Sequence, residues 1–257
     1  MKGVLAEVYY EEGSMGAGTV AKVFKATTAM GSRDCWSNEV AVNRVLLQHP
    51  SHSNILPCSD FDIVNTTLRF PYCGHGDMLC YIVKNKPLHQ WDLKKKWISQ
   101  MVEAVHHLHE VVGMAHLDLS LENFMLTDQL DIKLGDFAQA HMLKDSFPFQ
   151  PYLIGKRSYR AEEACSDSRL ITNFKALDMW ALGICIYAVC FHGFLWSHVT
   201  DNRYQLFVRD PSQFWKVTNG GTFFTQEATW VISLVTGLLK KDPQTRTTIC
   251  ELRRRIK

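Results

Sequence analysis

The stretch His116-Leu117-Asp118-Leu119-Ser120-Leu121-Glu122-Asn123 interrupts an apolar surrounding with polar residues at fixed intervals. A second acid, Asp136, follows in Leu134-Gly135-Asp136-Phe137-Ala138 after a short alternating run. Polar groups placed at such regular intervals in an apolar setting mark a stretch where chemistry is expected. Upstream, Gly13, Gly16 and Gly18 allow a tight backbone path, and a loop without Cβ atoms can bring its N–H groups close to phosphate oxygens. His106, His107 and His109 invite a metal reading, but no H-E-x-x-H pattern or spaced cysteine accompanies them. They read instead as surface or helix-packing residues.

The elements that must hold these groups are legible from periodicity. Residues 4–10 are rich in Val and Tyr and read as a strand, followed by the glycine loop and a second strand. On that second strand Lys25 shares the parity of Val23, whereas Lys22 projects to the opposite face. The run 38–47 has helical spacing through Val42, Val45 and Leu46, and residues 66–70 read as a further strand. Ile98, Met101, Val102, Val105 and Leu108 form a helical stripe that should pack along the core beneath the polar stretch. Leu130, Ile132 and Leu134 alternate into Asp136 as a strand should. The apolar run 180–196 contains His192 and is flanked by Asp178 and His198, so it reads as a buried core helix rather than a membrane span. Val231, Ile232, Val235, Leu238 and Leu239 make another stripe, and Arg253-Arg254-Arg255 mark a basic, solvated last helix.

With 257 residues and 46% hydrophobic content the chain can bury a sizeable core in one large domain or two lobes. Lys and Arg number 28 against 26 Asp and Glu, a net charge of +2, which argues for neither a nucleic acid nor an anionic membrane as partner. The eight cysteines are scattered without C-x-x-C pairs, which suits reduced thiols in an intracellular, cytoplasmic setting. Glu7, Glu11 and Glu12 break up any export signal at the start of the chain.

Taken alone, Gly16-Ala17-Gly18-Thr19-Val20-Ala21 fits a plain turn or a dinucleotide-binding fingerprint with Glu39 as its ribose acid. The downstream spacing decides otherwise. H-L-D-L-S-L-E-N followed by D-F-A resembles the H-R-D-x-x-x-x-N and D-F-G motifs of eukaryotic protein kinases. Gly16-x-Gly18-x-x-Ala21-x-Val23 is similar to the kinase glycine-rich loop, with Ala21 in place of its third glycine, and a second register, Gly13-x-Met15-x-x-Gly18-x-Val20, also fits. Asn38-Glu39 and the following helix, with His49-Pro50 beyond it, resemble the αC helix and the turn after it. Phe70-Pro71-Tyr72-Cys73 resembles the hinge between lobes. Gly155–Glu163 is similar to G-T-P-x-Y-x-A-P-E, Asp178-Met179-Trp180-Ala181-Leu182-Gly183 to D-x-W-x-x-G, and Asp242-Pro243-Gln244-Thr245-Arg246 to D-P-x-x-R.

The resemblance covers nearly the whole chain, from Gly16 to Arg246, and implies an α+β, two-lobed protein kinase fold with a shortened β-rich N lobe over 1–73 and a helical C lobe over 74–257. It implies ATP and Mg²⁺ as cofactors and a protein substrate. Asp118 would orient the substrate hydroxyl, and Asn123 and Asp136 would ligate Mg²⁺. His116 would be structural, packing near Phe137. Glu39 would pair with a strand lysine, Phe70 would stand at the gatekeeper position, and the Cys73 N–H and Asp77 would meet adenine and ribose. Asp178 would brace the polar stretch from below, and Arg246 would pair with Glu163.

Three departures qualify that picture. The interval between Val23 and Glu39 is too short for the family's V-A-I-K strand, so its lysine reads as missing and Lys25 stands as the substitute by parity with Val23. Leu117 replaces the arginine that receives an activation-loop phosphate, so no conventional loop switch is expected. Ser120 replaces the lysine of D-x-K while Lys156 replaces the threonine that normally touches it, so Lys156 is expected to return positive charge beside Asp118. The expected activity is phosphoryl transfer to a Ser or Thr hydroxyl. The alternative is a pseudokinase scaffold, motivated by the missing strand lysine.

Overall fold

In the computed structural model, which describes residues 6–12, 18–25, 30–87, 90–144, 154–165, 173–218 and 225–257, the first strand runs Ala6–Glu11 (β1). It pairs antiparallel with Thr19–Phe24 (β2), and β2 pairs in turn with Thr67–Pro71 (β4). Asp60–Asp62 (β3) closes the sheet, in the order β1-β2-β4-β3. An all-antiparallel sheet of this order excludes the dinucleotide-binding alternative, which requires parallel strands. Gly18 sits at the hairpin because a Cβ there would lie 2.4 Å from the Tyr10 ring. The helix Met30–Gln48 (α1) joins β2 to β3, and its Val40 is buried in one cluster with Phe24, Leu68, Phe70 and Leu56.

A second, larger apolar cluster fills the helical part of the chain. Trp91–His106 (α3) runs into a π-helical turn, His107–Val112, that stops where Gly113 adopts φ +74°. Met78–Asn85 (α2) starts where the Asp77 carboxylate accepts the Cys80 N–H at 2.8 Å. The apolar run expected over 180–196 is the helix Phe174–Phe191 (α4), capped by the Asn173 side chain and ended by His192 at φ +57°. By length and composition α4 could cross a membrane, yet 89% of it is buried within the protein. It packs against α3 and against Gln226–Leu238 (α7), where Gly183 permits the approach, since a Cβ there would lie 3.0 Å from Leu238 Cβ. Asn202–Arg209 (α5), Pro211–Thr218 (α6) and Ile249–Arg255 (α8) complete the helices, α8 starting in a Thr248–Glu251 capping box.

Short strands frame the polar stretch. Gly76–Asp77 (β5), Phe124–Leu126 (β7) and Ile132–Leu134 (β8) form one small sheet, and Met114–Ala115 (β6) pairs with His141–Met142 (β9). Residues 54–56 lie along β8, with Leu56 N–H donating to Leu134 O and Leu134 N–H to Asn54 O, both at 2.8 Å. The segment after α1 is thus fastened to the strand that delivers Asp136. At the far end of the core, Arg246 donates to Glu163 at 2.9 Å and lies 4.8 Å from the Trp180 ring. That is the pairing the motifs imply. Its side chain is 1% exposed, and removing one partner of so buried a pair strands the other charge.

Candidate active site

The cation that the sequence reading treats as missing is present, and it is Lys22. Its ammonium donates to Glu39 Oε2 at 2.7 Å and to Asp136 Oδ1 at 2.9 Å, joining β2, α1 and the D-F-A segment at one point. Lys25 does not reach this site; it lies 3.6 Å from Glu7 on the outer side of the sheet. Alternation along the strand is as expected, but Val23 marks the wrong face. In the observed register Lys22 is opposite Leu68 and Val20 opposite Phe70, side chains that point toward α1, while Val23 pairs with Thr67 on the other face. Burial alone would lower the Lys22 pKa, but the two carboxylates outweigh it and hold the lysine above its ordinary range. Burial pushes the Glu39 carboxyl up to about 7 against the pull of Lys22, and Lys22 keeps Asp136 below the usual carboxylate value despite its own burial.

The same register corrects the glycine-loop assignment. Ala21 and Val23 belong to a strand hydrogen-bonded on both edges, with Ala21 opposite Tyr9 on one side and Arg69 on the other, so both are strand residues rather than loop residues. Gly18 is the hairpin end already described, and Gly16 lies outside the described residues. Phe70 is buried in the cluster with Phe24 and Val40. Cys73, also buried, accepts the Gly76 N–H through its carbonyl at 2.9 Å, and Asp77 caps α2.

The polar stretch is built from below by Asp178 on α4. Its Oδ2 accepts the His116 N–H at 2.7 Å and its Oδ1 the Leu117 N–H at 2.8 Å, which holds Leu117 at φ +63° with its side chain buried. His109 Nε2 lies 2.8 Å from Asp178 Oδ2, a brace with no signal in the sequence beyond a histidine on an apolar stripe. Among the described residues no group of three or more His, Cys, Asp or Glu is arranged to hold a metal; His107 is buried and stacks on His52 with ring centroids 4.8 Å apart. His116 stacks obliquely on Phe137, rings 5.3 Å apart, and its Nε2 lies 3.1 Å from Gly135 O.

Asp118, Asn123 and Asp136 are brought together. Asn123 Nδ2 donates to Asp118 O at 2.7 Å and Asp118 Oδ2 at 3.0 Å, its Oδ1 faces Lys156 Nζ at 3.4 Å, and the Gly135 N–H donates to Asn123 O at 2.9 Å. Asp118 Oδ1 is buried and has no protein partner. Such an orphaned acceptor fits a site built to receive a hydroxyl donor. Burial pushes the Asp118 carboxyl up, with Lys156 and His116 opposing it. Asp136 adopts φ +60°, with Lys22 on one of its oxygens. An amide oxygen and a carboxylate are hard donors of the kind that suit Mg²⁺.

Lys156 closes the arrangement. Its ammonium donates to Ser120 Oγ at 2.6 Å and lies 3.4 Å from Asn123 Oδ1 and 3.5 Å from Glu122 Oε1. The two positions that exchange residue types are therefore in contact, beside Asp118.

The protein kinase domain family model matches residues 9–255, and the chain belongs to that family. Serine/threonine-protein kinase Nek9 of Xenopus laevis is 29% identical over 211 residues, 81% of this chain and 21% of that protein. The carbon catabolite-derepressing protein kinase of Secale cereale is 30% identical over 185 residues, 71% of this chain and 34% of that protein. Dual specificity protein kinase TTK of Mus musculus is 28% identical over 179 residues, covering 65% of this chain and 20% of that protein. The chain thus spans about a fifth to a third of the length of these relatives.

Proposed function

We propose that this kinase domain transfers the γ-phosphoryl group of Mg²⁺-ATP to a Ser or Thr hydroxyl of a protein substrate. The observation that carries the reading is the Lys22 bridge, which joins residues 17 and 114 positions away in sequence, Glu39 and Asp136, beside an unpartnered Asp118 oxygen. A pseudokinase was motivated by the missing strand lysine, and Lys22 removes that motive. Phosphoryl transfer asks of the protein mainly positioning and charge. Lys22 would orient nucleotide phosphates, Asn123 Oδ1 and the Asp136 carboxylate would hold Mg²⁺, and Asp118 Oδ1 would accept the hydrogen bond of the incoming hydroxyl and set its direction. Mg²⁺ held there would supply the charge that offsets the phosphates.

The choice of Ser or Thr follows the names of the relatives and the lack of the tyrosine-kinase arginine pattern in the catalytic loop. Eight free thiols fit a reducing, cytoplasmic setting. Mg²⁺-ATP turnover by the purified protein, with Asp136→Ala alongside, tests the reading. Turnover lost in the variant supports it; nucleotide binding without turnover in the wild type overturns it in favour of a scaffold.

Lys156 stands in for the lysine absent at Ser120, placing its charge where the γ-phosphate gathers negative charge. Lys156→Met is expected to lower kcat by about 10², the usual effect of one preorganised donor, while exposed Lys144→Met leaves it unchanged. Equal losses, or none in either variant, would remove Lys156 from the mechanism.

A further inference from the structure

The three residues that follow Asp136-Phe137 are gripped from two sides. Asn38 Nδ2 donates to Ala138 O at 2.8 Å and to Ala140 O at 3.0 Å, so both hydrogens of one amide are spent on this tripeptide. Gln139, between those two carbonyls, sends its own amide elsewhere, and its Oε1 accepts the Gly155 N–H at 2.9 Å. Gly155 is tightly placed. It adopts φ +67°, and a Cβ there would lie 3.2 Å from Leu117 O and 4.0 Å from Asp118 Oδ1. Arg160 holds the same turn by donating to Ile154 O at 2.8 Å and Gly155 O at 2.6 Å.

Glu39, the neighbour of Asn38 on α1, holds Lys22, which reaches Asp136. The helix α1 is therefore bonded to this segment twice, through an ion bridge at Asp136 and through a neutral amide at 138–140. Immediately afterwards β9 pairs with β6, the strand that leads into His116. Leu117, the position at which a charge could have tied this region to a modified side chain, is apolar and buried.

Resting on the phosphoryl-transfer reading above, we propose that Asn38 is a positioning residue for the reaction. Its two-pronged amide, extended by Gln139, straps the segment that carries Asp136 to α1 on one side and to the Gly155-Lys156 turn on the other. The metal-binding carboxylate and Lys156 then keep their relative places through amide-to-backbone hydrogen bonds, with no charged group acting as a switch. Holding reacting groups in register is worth large rate factors, and small displacements lose them.

Asn38→Asp tests this, because the side chain keeps its shape while losing both donors and turning a carboxylate toward two carbonyl oxygens. Asn38→Ala and Gln139→Met serve as companions, and the thermal midpoint of each variant checks the fold. Two quantities are read: amide hydrogen exchange over residues 137–142, and the Mg²⁺ concentration giving half-maximal turnover. In Asn38→Asp, exchange there is expected to quicken at least about tenfold with the rest of the molecule unchanged, since local opening responds to lost tethering bonds. The Mg²⁺ requirement is expected to rise by about fivefold or more, with smaller changes in Gln139→Met. Wild-type exchange protection in Asn38→Asp, or an unaltered Mg²⁺ requirement, overturns the proposal. A wild-type protein that binds Mg²⁺-ATP without turnover would instead sink the phosphoryl-transfer reading. Mg²⁺-dependent nucleotide affinity then replaces turnover as the readout, and equal affinities in wild type and Asn38→Asp overturn the strap.

Discussion

Lys22→Met is expected to lower kcat/KM for ATP by about 10²–10³, the range seen when one preorganised charge-stabilising donor is removed. Lys25→Met, at a lysine that pairs with Glu7 and does not reach Glu39 or Asp136, is expected to stay near wild type. Its ion pair with Glu7 at 3.6 Å is partly exposed, and such pairs contribute about 0–1 kcal/mol. The contrast between two lysines on one strand separates a site effect from a general loss of positive charge. Removing Lys22 also leaves Glu39, which is 0% exposed, without its cation. Breaking one partner out of a buried pair destabilises by about 3–5 kcal/mol. Lys22→Met with Glu39→Gln relieves the stranded charge and is expected to recover much of the thermal midpoint but none of the turnover. Recovery of both would assign Lys22 a purely structural part.

Asp118→Asn is expected to reduce kcat by about 10²–10⁴, the span for a positioned proton acceptor, while the KM for ATP changes little. The reason lies in the placement of its two oxygens. Oδ2 is occupied by the Asn123 amide, and the unpartnered Oδ1 is the one proposed to receive the substrate hydroxyl. An unchanged kcat would remove Asp118 from the reaction. The pH profile supplies a second check. Burial raises the Asp118 pKa and Lys156 opposes that rise. Activity tied to the ionised carboxylate increases with pH through this pKa. Taking away the cation in Lys156→Met disfavours the ionised form further, so the acid limb of kcat/KM should move to higher pH. Movement to lower pH, or none, would contradict the contact between Lys156 and the site.

Much of the site was legible because its groups are held by short-range structure. Asp118 and Asn123 share one loop in which the asparagine amide bonds directly back to the aspartate. Asp136 follows the alternating β8, and loops of this kind keep their spacing whatever surrounds them. The helical stripes of α3 and α7 and the apolar run of α4 were readable because apolar patterning reports what must be buried, whereas the pairing of Arg246 with Glu163 was implied by the kinase resemblance alone. The glycine stretch is legible only in part: strand pairing places Ala21 and Val23 inside the sheet, while Gly13 and Gly16 lie outside the described residues.

By itself the sequence determined the protein kinase motifs, the oxygen donors and their order, and the exchange of residue types between Ser120 and Lys156. Alternation along β2 also established that Lys22 and Lys25 must point to opposite faces. Only the tertiary structure decided which face meets α1, and so which lysine reaches Glu39 and Asp136. It alone brought Lys156 onto Ser120 and Asn38 onto the carbonyls of Ala138 and Ala140. The physical reason is that a strand's two faces are equivalent until one is covered. Which one is covered depends on the packing of α1 and β4 against β2, contacts between residues far apart in the chain that no local period encodes.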